Sequence, residues 1–170
     1  MKKITLLFLA GLLALSTAAC GAAKTSSNAP DTTAQNNPAV DKPTAQTNQN
    51  DAVSETRRKQ LNADIQAREQ RNRVAGDPNV RNDNDLKSEV RSKLEANLPA
   101  SALAVDAKDG KVTVSGTAVD ENQLRKIGPL AREIKGVKTV EIKAGLSKAA
   151  KLDAPKPETA NPIKENTNKN

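Results

Sequence analysis

The sequence predicts an α+β fold, one small domain of order αββαβ between Asp83 and Leu146, and three observations carry that prediction. Leu86, Val90, Leu94 and Leu98 recur every four residues beneath an otherwise charged surface. Two period-two apolar runs flank the dipeptide Asp109-Gly110. A capped, periodic segment beginning at Asp120 then leads into a third alternating run.

The first helix places its leucine and valine stripe on one face, with Lys87, Glu89, Arg91, Lys93 and Glu95 on the others. Asp83, Asn84 and Asp85 offer side-chain oxygens to the free N–H groups at its start. Pro99 stands where a helix cannot continue, so the helix is expected over Asp85 to Leu98. Leu103, Val105 and Ala107 alternate with Ala104, Asp106 and Lys108, and Val112 and Val114 alternate with Lys111, Thr113 and Ser115. Asp109-Gly110 supplies the positive backbone angles of a tight hairpin, so these runs pair antiparallel, and Gly116 is expected to end the second. Asp120, with Gln123 three residues on, resembles a capping box. Leu124, Ile127, Ala131 and Ile134 fall on one face of the second helix, with a kink expected at Gly128-Pro129. Gly136 stops that helix, and Val140, Ile142 and Ala144 alternate as a third strand. Leu94, Val112, Val114, Ile134 and Val140 are expected to be buried together.

Two of these stretches, Asp106 to Gly116 (DAKDGKVTVSG) and Ile134 to Val140 (IKGVKTV), resemble the BON domain of bacterial envelope proteins. The glycines also have a plain structural reading, as turn residues, and the valines as core. Pro129 departs from the family's pattern and bears on the geometry of the second helix. The resemblance implies a three-stranded sheet packed on two helices. It further implies contact with phospholipid or with envelope partners rather than catalysis.

At the N-terminus, Met1-Lys2-Lys3 is followed by an apolar run from Ile4 to Leu15 and the small residues Thr17-Ala18-Ala19. This is the pattern of a secretory signal peptide over residues 1–19, with an apolar core too short for a membrane span. Cys20, the only cysteine in the chain, follows directly. It resembles the acylated cysteine of a bacterial lipoprotein lipobox, and the alternative is a free exported thiol. The first reading makes Cys20 the lipid attachment residue and places the domain in the cell envelope, outside the cytoplasm and on the periplasmic side.

Residues 20–52 are rich in Ala, Asn, Thr, Gln and Pro without apolar periodicity. They read as a flexible tether with a reach of about 30 Å. Residues 53–76 read as a basic arm, either a solvated helix or a segment that rests on anionic headgroups. Its acid-to-base pairs, Glu55–Lys59, Asp64–Arg68 and Glu69–Arg73, are spaced by four, and its apolar content is chiefly Leu61 and Ile65. Gly76-Asp77-Pro78 separates the arm from the domain, and residues 147–170 read as a disordered tail.

Composition excludes several functions. The chain has no His, Trp or Tyr, and its single Phe and single Met lie in the signal peptide, so nucleic-acid binding by stacking has no ring to use. The formal charge of +7 becomes +5 without Lys2 and Lys3, a mild balance rather than a phosphate-binding stripe. No triad or metal-ligand spacing links the remaining Ser, Lys, Asp and Glu, so no catalytic, cofactor or metal residue is assigned and no enzyme activity is expected. Two functions remain open: a module that binds anionic phospholipid and helps maintain the envelope, or a structural adaptor whose domain binds another envelope protein. The basic residues available for headgroup contact are Lys87 and Arg91 on the first helix, Arg125, Arg132 and Lys135 on or beside the second, and Arg57, Arg58 and Lys59 on the arm. The same charges would also serve solubility alone.

Overall fold

The computed structural model describes residues 21–75 and 81–147; the expected signal peptide, Cys20, the Gly76-Asp77-Pro78 break and the tail from Lys148 onward lie outside the described residues. In chain order the elements are β1 (Ala23–Lys24), α1 (Lys42–Val53), α2 (Glu55–Ala75), α3 (Asp83–Asn97), β2 (Ala102–Lys108), β3 (Lys111–Ala118), α4 (Glu121–Arg132), β4 (Thr139–Ile142) and β5 (Gly145–Leu146). The α+β class and the αββαβ order of the domain are as the sequence predicts.

Local chemistry accounts for each boundary of the domain. The cap of α3 is Asn82, one residue ahead of the acids expected there, and its side chain accepts from Asn84 N at 2.9 Å. Asp83 and Asp85 instead occupy the first turn, where carboxylates oppose the helix dipole favourably. Positive φ at Asp109 (53°) and Gly110 (84°) turns β2 back on β3, with Lys108 opposite Lys111. Gly116 does not end β3, which runs on to Ala118. Its φ is +106°, and a Cβ there would lie 2.1 Å from the carbonyl oxygen of Ala102, so the glycine serves close approach of the two strands. Asp120 caps α4 by accepting from Gln123 N at 2.7 Å.

The second helix runs through Gly128-Pro129 and ends at Arg132, earlier than expected. Pro129 lies in its last turn, after which Glu133 N bonds to Leu130 O and Ile134 N to Ala131 O in tighter i→i−3 fashion.

The sheet exceeds the three strands the family resemblance implies. It runs β1-β2-β3-β4, with β5 also on β3; β4 and β5 lie parallel to β3, and β1 pairs antiparallel with β2. One cluster joins Leu86, Val90, Leu94 and Leu98 of α3 and its cap to Val105, Val112, Val114, Ile127 and Ile134, with Val140 partly buried against it. The five residues expected to meet in the core therefore do so.

The segment expected to hang free as a tether is laid across the domain from Gly21 to α1. Its apolar content is low, as expected, yet its short polar side chains answer backbone groups of the sheet. Thr25 Oγ1 donates to Ser101 O at 3.1 Å and accepts from Leu103 N at 2.9 Å. Asn37 accepts from Gly116 N at 2.8 Å and donates to Lys143 O at 2.9 Å, which fills the gap between β4 and β5. Thr117 and Ser147 donate to the carbonyls of Pro38 and Val40. Asp41 then caps α1 by accepting from Thr44 N at 3.0 Å.

The arm is helical, and it is docked rather than solvated. Leu61 is buried to 1% exposure, and around it charged side chains link α2 to α3. Arg57 forms a fork on Glu95, Asp64 holds Arg91 and Ser92, and Arg68 and Arg71 share Asp85. Residues 57, 61, 64, 68 and 71 recur at helical spacing, so the docking face of α2 is a stripe of charges around one leucine.

Candidate membrane-contact site

The predicted contact residues divide into cations used inside the fold and cations presented to solvent. Lys87 belongs to the first group: it is buried, with Nζ 3.2 Å from Gly21 O and 3.7 Å from Asp106 Oδ1. Arg91 is bound by Asp64 at 3.3 Å and Glu95 at 3.0 Å. Arg57 is held by Glu95, and that hydrogen bond raises its guanidinium pKa further above the ordinary arginine value. The expectation that Lys87 and Arg91 are available for headgroup contact is corrected by this geometry, which engages both within the fold. Their positions lie where β1 and α2 pack on α3, and the charges are consumed there.

On the arm, Arg58 is exposed and Lys59 pairs with Glu55 at 2.5 Å across an exposed helix turn. That contact lowers the Glu55 carboxyl below its usual range, chiefly through the Lys59 hydrogen bond.

The outer face of α4 is different. Among the described residues Arg125, 68% exposed, has Glu121 as its ion-pair partner at 3.2 Å and exposed Arg132 has none, while Lys135, also exposed, lies past the end of the helix where it lines a cleft with Glu69, Asn72, Arg73 and Arg81. Arg125, Gly128, Pro129 and Arg132 fall at i, i+3, i+4 and i+7, one face of the helix. A Cβ at Gly128 would meet Arg132 Nη1 at 3.2 Å and Ile142 Cδ1 at 3.4 Å, so the guanidinium and the isoleucine adjoin over the bare glycine. Ile142 on β4 is 44% exposed, and Leu146 on β5, which packs beside α4, is 47% exposed. Arg132 thus adjoins an exposed isoleucine, and the exposed Leu146 lies further along the same side of β3, opposite Ala118.

Of the residues expected from the sequence, Arg125, Arg132 and Lys135 are exposed, and the sequence did not single out the exposed Ile142, Leu146 and Lys126. Ile142 shares its strand face with Val140 and so reads as core. At the edge strand, however, Val140 and Ala144 pack against the core while Ile142 between them stays 44% exposed. Only the shortness of β4 could have signalled this.

Among the described residues no three His, Cys, Asp or Glu side chains cluster as a metal site, and no helix is long and apolar enough to cross a membrane. A face of cations and aliphatic side chains with no ring is suited to contact with a charged interface, where stems lie on apolar surface and the heads reach phosphates.

No curated protein matches the chain. Residues 82–144, from the cap of α3 past the end of β4, match the BON domain, so the chain carries a BON domain in the αββαβ portion of its fold.

Proposed function

We propose that this protein is a non-catalytic envelope lipoprotein, anchored by acylation of Cys20, whose BON domain rests on anionic phospholipid and so helps maintain the envelope. BON domains are a non-catalytic binding family associated with phospholipid binding and with envelope proteins. The observation that carries the reading is the α4 face, where exposed Arg132 adjoins exposed Ile142 over Gly128 and exposed Arg125 lies two turns earlier on the same helix face. Each basic residue near an anionic surface contributes about 1 kcal/mol at most, and two partly exposed aliphatic side chains add a small apolar contribution. Binding is therefore shallow, reversible and salt-sensitive.

The test is sedimentation of the unlipidated chain with vesicles of mixed anionic and neutral lipid. Arg125→Glu with Arg132→Glu should lower the bound fraction about tenfold at low salt, whereas Arg58→Glu on the arm should change it little. Equal binding by the folded double variant would exclude the α4 face. Absence of vesicle binding by the parent, with recovery of a protein bound to the domain, would favour the adaptor function instead.

A further inference from the structure

The point at which the chain joins its proposed anchor and the face proposed to touch lipid lie on opposite edges of the sheet. Gly21, the residue bonded to Cys20, is fixed beside β1. Its carbonyl accepts from Lys87 Nζ at 3.2 Å, Ala22 N donates to Asp31 O at 3.0 Å, and Ala23 and Lys24 pair with Val105 and Ala104. Consecutive Cα atoms are about 3.8 Å apart, so the peptide bond to Gly21 ties any anchor at Cys20 to the β1 edge by a single residue. β4, which carries Ile142, closes the other end of the path β1-β2-β3-β4, and α4 packs over it. Three strand spacings, about 14 Å, separate the two edges, and beyond β4 there is no further strand among the described residues.

Resting on the membrane-binding reading above, we propose that the α4 face engages a second anionic lipid surface, not the one that holds the acyl chains, so that the docked N-terminal segment makes the protein a bridge between two bilayers. A free tether would let α4 fold back onto its own membrane. The bonds of Thr25, Asn37, Thr117 and Ser147 hold the segment down and direct α4 away from the anchor. The occupant follows from charge and shape: exposed Arg125 and Arg132 on one face of α4, the latter beside exposed Ile142, fit a headgroup layer.

Because Cys20 is the only cysteine, the chain beginning there can be coupled through its thiol to maleimide lipid in vesicles that also contain phosphatidylglycerol. Light scattering then reports clustering when free phosphatidylglycerol vesicles are added. The coupled protein should cluster them at low salt, and Arg125→Glu with Arg132→Glu should reduce clustering at least tenfold. Insertion of about 20 Gly/Ser residues between Cys20 and Gly21, with a reach of about 25 Å, should reduce it several-fold by letting α4 bind its own vesicle. Clustering no greater for the parent than for the inserted variant, while the uncoupled parent still sediments with anionic vesicles, would overturn the bridging geometry alone. Failure of the uncoupled parent to sediment would overturn the underlying membrane reading.

Discussion

Glu89 lies between α2 and α3 at 1% exposure, with Arg81 Nη1 at 2.5 Å and Asn72 Nδ2 at 3.3 Å. Burial pushes its carboxyl above the ordinary value of 4.5, the Arg81 guanidinium offsets part of that, and the neighbouring charges of Glu69 and Asp85 add to it. A carboxyl whose pKa is raised by folding favours the folded state most when protonated. Its contribution is full below pH 4.5 and is lost as pH rises through the native value. Glu89→Gln, a neutral isostere, removes that dependence, so in urea unfolding the variant should gain on the parent between pH 4 and pH 7. A constant difference across that range would mean the carboxylate is as well solvated in the fold as outside it. Asp41, Glu55 and Glu141 run the opposite way. Hydrogen bonds, to Thr44, Lys59 and Lys111 in turn, lower each pKa, so their contribution is present above their ordinary values and fades on acidification. The contrast between Leu94 and Glu95 shows what the residues themselves disclose. Leu94 reads as core from its spacing alone, because burial is the default for an apolar stripe. Glu95, buried to 2%, reads as a solvated charge, because nothing in its own segment announces that Arg57 forks onto it from 38 positions away.

At the level of elements, the same asymmetry separates the domain from what covers it. Helices and strands that bury apolar stripes were legible through periodicity, capping and the Asp109-Gly110 turn. The docking of α2 was hidden because Asp64 and Arg68, read as a local i,i+4 pair, also reach Arg91, Ser92 and Asp85 on α3. The N-terminal segment was hidden for a related reason: a low apolar content argues for disorder only when the polar side chains bond to water. Here Thr25, Asn37, Thr117 and Ser147 bond across sequence separations of 76 to 107 positions, which no local pattern reveals. Asn37 is the most exposed to test, since one amide satisfies both Gly116 N and Lys143 O. Asn37→Ala forfeits two hydrogen bonds at about 1 kcal/mol each, so local opening of the segment should rise about tenfold or more without loss of the domain. Limited trypsin digestion measures this as faster cleavage after Lys24, with the αββαβ portion left intact. An unchanged cleavage rate would show that the segment is held by contacts other than Asn37.

Across the whole molecule, the proposed membrane attachment rests on two unequal contributions. The α4 face offers a few cations at about 1 kcal/mol each, screened as the Debye length shrinks from about 30 Å at 0.01 M salt to about 8 Å at 0.15 M. Acyl chains contribute about 0.8 kcal/mol per buried methylene, so a multiply acylated Cys20 outweighs every surface contact the domain makes. If Cys20 is acylated as proposed, the domain's own contacts serve to set its orientation rather than to hold it on the membrane. Cys20→Ser separates the two contributions. The variant should carry no acyl mass and should accumulate as a precursor that retains residues 1–19. After release of that segment by an engineered protease site, it should leave the membrane fraction on washing at physiological salt while the parent stays. Mass spectrometry of the N-terminus and fractionation before and after the wash provide both readings. Processing of Cys20→Ser to the same mature N-terminus as the parent, with the same resistance to the wash, would remove the anchor from the mechanism and leave the domain's own contacts to explain any residence on lipid.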